Sequence, residues 1–110
     1  MNQRRKGHNY ERQLRKELRE RFYPDCETAR YSSREADNAG KDLVNTGFLN
    51  VQAKSWERAP SYHDILNSMP DDGNYNCIFH HRKNKGDVVV IKKEDFYELL
   101  DIIKSNGIKI

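Results

Sequence analysis

Four side chains, Glu11, Asp42, Gln52 and Lys54, are of types that together can carry out metal-assisted attack on a phosphate. On an extended segment Gln52 and Lys54 point to the same face, roughly 7 Å apart at ~3.3 Å per residue, with Val51 and Ala53 on the other. A polar pair therefore interrupts an otherwise core-forming stretch. Asp42 opens the preceding apolar segment, so a short hairpin brings its carboxylate beside Gln52. Carboxylate and amide oxygens are hard ligands of the kind Mg²⁺ prefers, and that ion keeps several waters. Lys54 can orient or deprotonate a metal-activated water, or neutralise charge developing on the phosphate.

These residues need a scaffold, and the chain supplies one in recognisable pieces. Tyr10, Leu14, Leu18 and Phe22 recur every four residues and predict a helix from about His8 to Tyr23, stopped by Pro24. CETARYSS (26–33) reads as a strand and READNAG (34–40) as a loop. In DLVNTGFLNVQAKSW two short apolar runs split at Asn45, Thr46 and Gly47, which predicts a hairpin of two adjacent strands. Pro60 and Ser61 open a second helix with Ser61 as N-cap and Tyr62, Ile65, Leu66 and Met69 as its buried stripe. NYNCIFHHR and DVVVI are two more strands joined by KNKG, and DVVVI is apolar enough to be buried on both faces. A last helix carries Phe96, Leu99, Leu100 and Ile103 and ends near Asn106 and Gly107. The expected order is αβββαββα: an α/β protein with a central mixed five-stranded sheet flanked by helices.

A chain of 110 residues, 35% hydrophobic and 34% charged, matches one domain with a modest core, spanning 1–110 with a basic leader at about 1–7. No apolar run approaches the ~20 residues that span a bilayer, and the first residues do not read as a secretory signal, so a cytoplasmic location is expected. Cys26 and Cys77 are too few for a disulfide scaffold and read as packing residues. Charge is uneven: residues 1–34 hold ten Lys or Arg against five Asp or Glu, whereas residues 35–110 hold ten against twelve. A basic front end suggests a polyanion partner, nucleic acid being the commonest.

Asp42 followed by Gln52-Ala53-Lys54 resembles the signature of the PD-(D/E)xK nuclease superfamily, an acidic residue entering one strand and an acidic-x-Lys on the next. Two departures are plain: Lys41 stands where that family usually has Pro, and Gln52 replaces the usual Glu or Asp. Within the superfamily the chain is most similar to archaeal-type Holliday-junction resolvases and their phage-encoded relatives, through the leader RRKG, a helix starting at Tyr10-Glu11, the segment ARYSSRE and the Gln-x-Lys hairpin. The resemblance implies a restriction-endonuclease-like fold and a metal-dependent, structure-selective DNA endonuclease making paired nicks with 5′-phosphate ends. It assigns Glu11, Asp42, Gln52 and Lys54 to catalysis, the first three as ligands of Mg²⁺, for which Mn²⁺ can substitute. Arg4, Arg5, Lys6, Arg30, Ser32, Ser33 and Arg34 are assigned to DNA. The implied partners are a branched, four-way DNA and a second copy in a homodimer, with no membrane or small-molecule substrate. If the chain is phage-encoded, its compartment is the host cytoplasm.

Asp-x9-Gln-x-Lys is short enough to arise by chance, so its weight comes from the hairpin, the preceding helix and the basic leader around it. Two other readings compete: another Mg²⁺-dependent DNA endonuclease of the same fold, of restriction or repair type, and a non-catalytic DNA-binding module, which Gln52 favours. His63, His80, His81 and Cys77 lack a paired zinc-ligand spacing, and packing on a strand accounts for them. Trp56 and Tyr62 flank the motif and can stack on a base, although core or interface roles are commoner for aromatic residues there.

Overall fold

The computed structural model describes residues 3–110. The first helix, α1 (Gln3–Arg21), buries Tyr10, Leu14 and Leu18, as the four-residue period predicts. Arg4, Arg5 and Lys6 belong to this helix and form no separate leader. Phe22 does not complete the stripe. The helix ends at Arg21, the N–H groups of Phe22 and Tyr23 both donate to the Leu18 carbonyl, and the chain leaves the helix with Phe22 68% exposed while Tyr23 packs on the core.

The segment read as one strand is strand β1 (Glu27–Thr28) followed by a short helix α2 (Ala29–Ser32), and the expected loop contains helix α3 (Arg34–Asn38). The reason is local: the Ser33 hydroxyl accepts the Ala36 N–H at 3.1 Å, and Glu35 and Asp37 occupy the first turn, where a helix favours negative charge.

Strand β2 (Leu43–Val44) pairs antiparallel with β1, and strand β3 (Leu49–Lys54) pairs in parallel with β4 (Tyr75–Arg82) through the crossover helix α4 (Tyr62–Ser68). Strand β5 (Gly86–Ile91) then pairs antiparallel with β4. The protein is thus mixed α/β with two sheets, β1-β2 and β3-β4-β5, and not one five-stranded sheet. The predicted hairpin is correspondingly absent as a ladder. Asn45 (φ 60°) and Gly47 (φ 56°) turn the chain in left-handed conformations, and the backbone bond to β3 comes just before β2, where the Asp42 N–H donates to the Val51 carbonyl at 2.8 Å. The next ladder position is taken by a side chain: Ala53 N–H donates to the Asp42 carboxylate. Gly47 is required twice over, since a Cβ there would sit 2.9 Å from the Tyr23 ring.

The three-stranded sheet lies between two layers. Val51, Ala53 and Cys77 pack with α1, and Ile78 packs with Leu66 and Met69 beside α4. Ser61 stands at the α4 N-cap, but its hydroxyl donates to the Asp64 carboxylate at 2.7 Å and accepts no backbone N–H of the helix. The expectation that DVVVI is buried on both faces fails: β5 is an outer strand whose residues 86–89 are exposed. The last helix, α5 (Lys93–Ser105), buries no residue, and Phe96 on its apolar stripe is 50% exposed. It ends at Asn106 and at Gly107, whose φ of 81° suits glycine. Among the described residues no helix is long and apolar enough to cross a membrane.

Candidate active site

Glu11 follows Tyr10 on α1 and is only 8% exposed, a position that takes a carboxylate out of most of its water. Burial raises its pKa, and Arg30 opposes the shift by donating from Nε to Oε2 at 3.2 Å. Asp42 stands at the entry to β2, where Ala53 N–H donates to its Oδ2 at 2.7 Å. That bond holds the carboxylate against β3 at the residue between Gln52 and Lys54. Burial pushes the Asp42 carboxyl up to about 6; the Ala53 N–H and Lys54 pull it down, while Glu11 and Asp37 add repulsion. Two carboxylates whose proton affinities are both raised by burial, with Glu11 adding repulsion at Asp42, form an acidic centre of the kind that favours a cation.

The Gln52 side-chain oxygen is buried and accepts no hydrogen bond among the described residues. An orphaned amide oxygen is costly unless something else takes its lone pairs. The carboxylates of Glu11 and Asp42 and the amide oxygen of Gln52 are hard donors of the class that Mg²⁺ takes with waters completing the shell; Glu11 and Asp42 act on one another electrostatically, while Gln52 stands next to Ala53, whose N–H holds Asp42. No three His, Cys, Asp or Glu side chains converge on a metal-binding geometry among the described residues, so the fit depends on the Gln52 amide acting as the third donor. Lys54 makes no ion pair with Asp42 within the described residues; its ammonium lies 4.6 Å from the centre of the Trp56 ring.

Around this acidic centre the cations fall into two groups. Burial lowers the pKa of His8, and Arg30, Arg4 and Arg12 lower it further, so these guanidinium groups crowd one rim, where Arg30 and Arg12 also act on Glu11. Arg4, Arg5, His8 and Arg12 line a shallow open pocket on that rim. Arg15 and Arg19 are engaged elsewhere, on Glu27 at 2.7 and 2.8 Å. Ser32 donates to the Thr28 carbonyl at 3.0 Å and Ser33 caps α3, so both hydroxyls serve the local backbone, while Arg34 is exposed. Lys41, beside Asp42, turns away to Asp72 at 3.0 Å, and Asp72 accepts from buried Asn50, an arrangement that braces the approach to β3.

Asp37, outside the sequence motif, is a further neighbour of the site. Its charge raises the pKa of both Glu11 and Asp42, and the signal that places it on a helix is the Ser33 cap. Among the described residues His80 is bonded at both ring nitrogens, to the Tyr62 hydroxyl and the Trp56 carbonyl, and His81 pairs with Asp87 at 2.5 Å. Compared with protein-family models, curated proteins and solved structures, the chain matches none.

Proposed function

We propose that this protein is a Mg²⁺-dependent, structure-selective DNA endonuclease that resolves four-way junctions by paired nicks, on a fold of the restriction-endonuclease type. The observation that carries the reading is the Asp42 carboxylate held by the Ala53 N–H between Gln52 and Lys54, with buried Glu11 adding a second carboxylate. Glu11, Asp42 and Gln52 would hold the ion. When bound, Mg²⁺ or Mn²⁺ supplies a lowered water pKa and a counter-charge to the scissile phosphate. Lys54 orients the attacking water and offsets charge building on the phosphate, and the 3′ oxygen leaves, so the product carries a 5′ phosphate. Arg30, which pairs with Glu11, would add a guanidinium to the phosphate contacts. Arg4, Arg5, Lys6 and Arg34 contribute phosphate contacts that are insensitive to sequence and sensitive to salt.

Two nicks on a two-fold junction call for two sites related by the same axis, hence a homodimer. The uncovered stripe on α5 and the exposed outer strand β5 offer apolar surface for a second copy. Cytoplasm, including a host's, is the matching compartment. Gln52, which lacks the charge of a carboxylate, favours a second reading, a DNA-binding module without catalysis. Plasmid nicking with Mg²⁺ separates the two readings, and competition between a labelled junction and linear duplex separates a resolvase from a restriction or repair enzyme of the same fold. The expected result is nicking, junction preference and a dimer by sedimentation. A monomer that binds duplex as well as junction overturns the resolvase assignment, and inertness with Mg²⁺ and Mn²⁺ overturns the enzyme.

A further inference from the structure

Lys54 reaches the end of β3 on a long, flexible stem, and such a side chain acts on a defined atom only if something restrains its ammonium. The restraint is visible. The Lys54 ammonium lies 4.6 Å from the centre of the Trp56 ring, within the range in which an indole face attracts a cation. Trp56 is in turn tied down through its backbone: its carbonyl accepts from Nε2 of His80 at 2.7 Å. His80 is 1% exposed, and its Nδ1 is 2.8 Å from the Tyr62 hydroxyl on α4. Because a carbonyl can only accept, Nε2 carries the proton, and in the neutral ring Nδ1 is left to accept from Tyr62. Both ring nitrogens are therefore used, and the imidazole has no freedom to turn. His80 is also the register partner of Lys54 across the β3–β4 ladder, so the clamp closes on the strand that carries the lysine.

We infer that Trp56, anchored by the buried His80–Tyr62 pair, is a positioning residue that sets the direction of the Lys54 ammonium. It rests on the nuclease reading only for what Lys54 then does; the positioning itself is testable without DNA. The same geometry argues against the indole being reserved for stacking on a base, since one face already holds the cation.

The test begins with NMR of the free protein, with the Lys54 ε-methylene signal assigned by its loss in Lys54→Met. Ring current from Trp56, the only tryptophan in the chain, should move that signal upfield. Trp56→Leu should return it to the ordinary lysine position, and Trp56→Phe should keep part of the shift. His80→Gln, which can still donate to the Trp56 carbonyl, should keep it, whereas His80→Leu should lose it; if His80→Leu does not fold, the Trp56 pair decides. In nicking assays Trp56→Leu should lower kcat about tenfold with KM for the junction unchanged, and Trp56→Phe should restore most of the rate. An unshifted Lys54 signal in the wild type, a shift that survives Trp56→Leu, or a Trp56→Leu effect confined to KM overturns the inference. A shift that depends on Trp56 in a protein that nicks no DNA leaves the positioning standing and overturns the nuclease reading.

Discussion

Asp42→Asn is expected to make the protein more stable near neutral pH while removing the proposed nicking activity. The Asp42 carboxyl rises from its ordinary 3.8 to about 6, chiefly because the folded chain takes it out of water. Above pH 6 the group is charged in both folded and unfolded chains, and the folded state carries the cost of that burial. At ~1.36 kcal/mol for each tenfold change in proton affinity, the cost is about 3 kcal/mol. Below pH 3.8 the group is protonated in both states and the cost vanishes, so this contribution makes the protein more stable as pH falls from about 6 toward 4. Asparagine keeps an oxygen to accept the Ala53 N–H and carries no charge. The assay is two-state urea unfolding of both proteins from pH 4 to 7.5, read as a difference. The difference matters because Glu27 and Asp72, whose pKa values are lowered, contribute with the opposite sign in each protein and cancel. The variant should be more stable by about 2–3 kcal/mol at pH 7 and equal to the wild type near pH 4. Mg²⁺ should narrow the gap by stabilising only the wild type, by about 2.7 kcal/mol at a hundred times its Kd. An Asp42→Asn protein no more stable than wild type at pH 7, with a flat difference across the range, refutes the reasoning.

Three further outcomes follow from the same geometry. Lys54→Ala should stop cleavage while leaving junction affinity largely intact, because one ammonium is a small part of the phosphate interface; gel-shift titration beside nicking checks both halves. Gln52→Glu should reach half-maximal nicking at lower Mg²⁺ than wild type, since a carboxylate replaces a neutral donor, and a metal titration showing a higher requirement would assign Gln52 another role. Gly47→Ala should destabilise the fold by about 1–2 kcal/mol or more, from a left-handed backbone and a Cβ pressed on the Tyr23 ring, as measured by the shift in urea midpoint.

Much of the scaffold is legible in the amino-acid sequence because its signals are local. The four-residue spacing of Tyr10, Leu14 and Leu18 specifies a helix and its buried face, and the alternation around Gln52 and Lys54 specifies a strand with two polar side chains on one side. The Ser33 cap of α3 is equally local. What only the tertiary structure decided depends on groups brought together from distant parts of the chain. Whether β2 continues into a hairpin depends on which neighbour takes its hydrogen bonds, and β1 takes them. Whether DVVVI is buried depends on covering layers that reach Val90 and Ile91 but leave residues 86–89 exposed, and an apolar run carries no information about those layers. The ion pair of Arg30 with Glu11, the repulsion that Asp37 adds, and the clamp of His80 on Trp56 join residues 19 to 26 positions apart. Residue type sets what each side chain can do; the low-dielectric enclosure that raises the Asp42 pKa exists only once α1, α3 and β3 have closed around it.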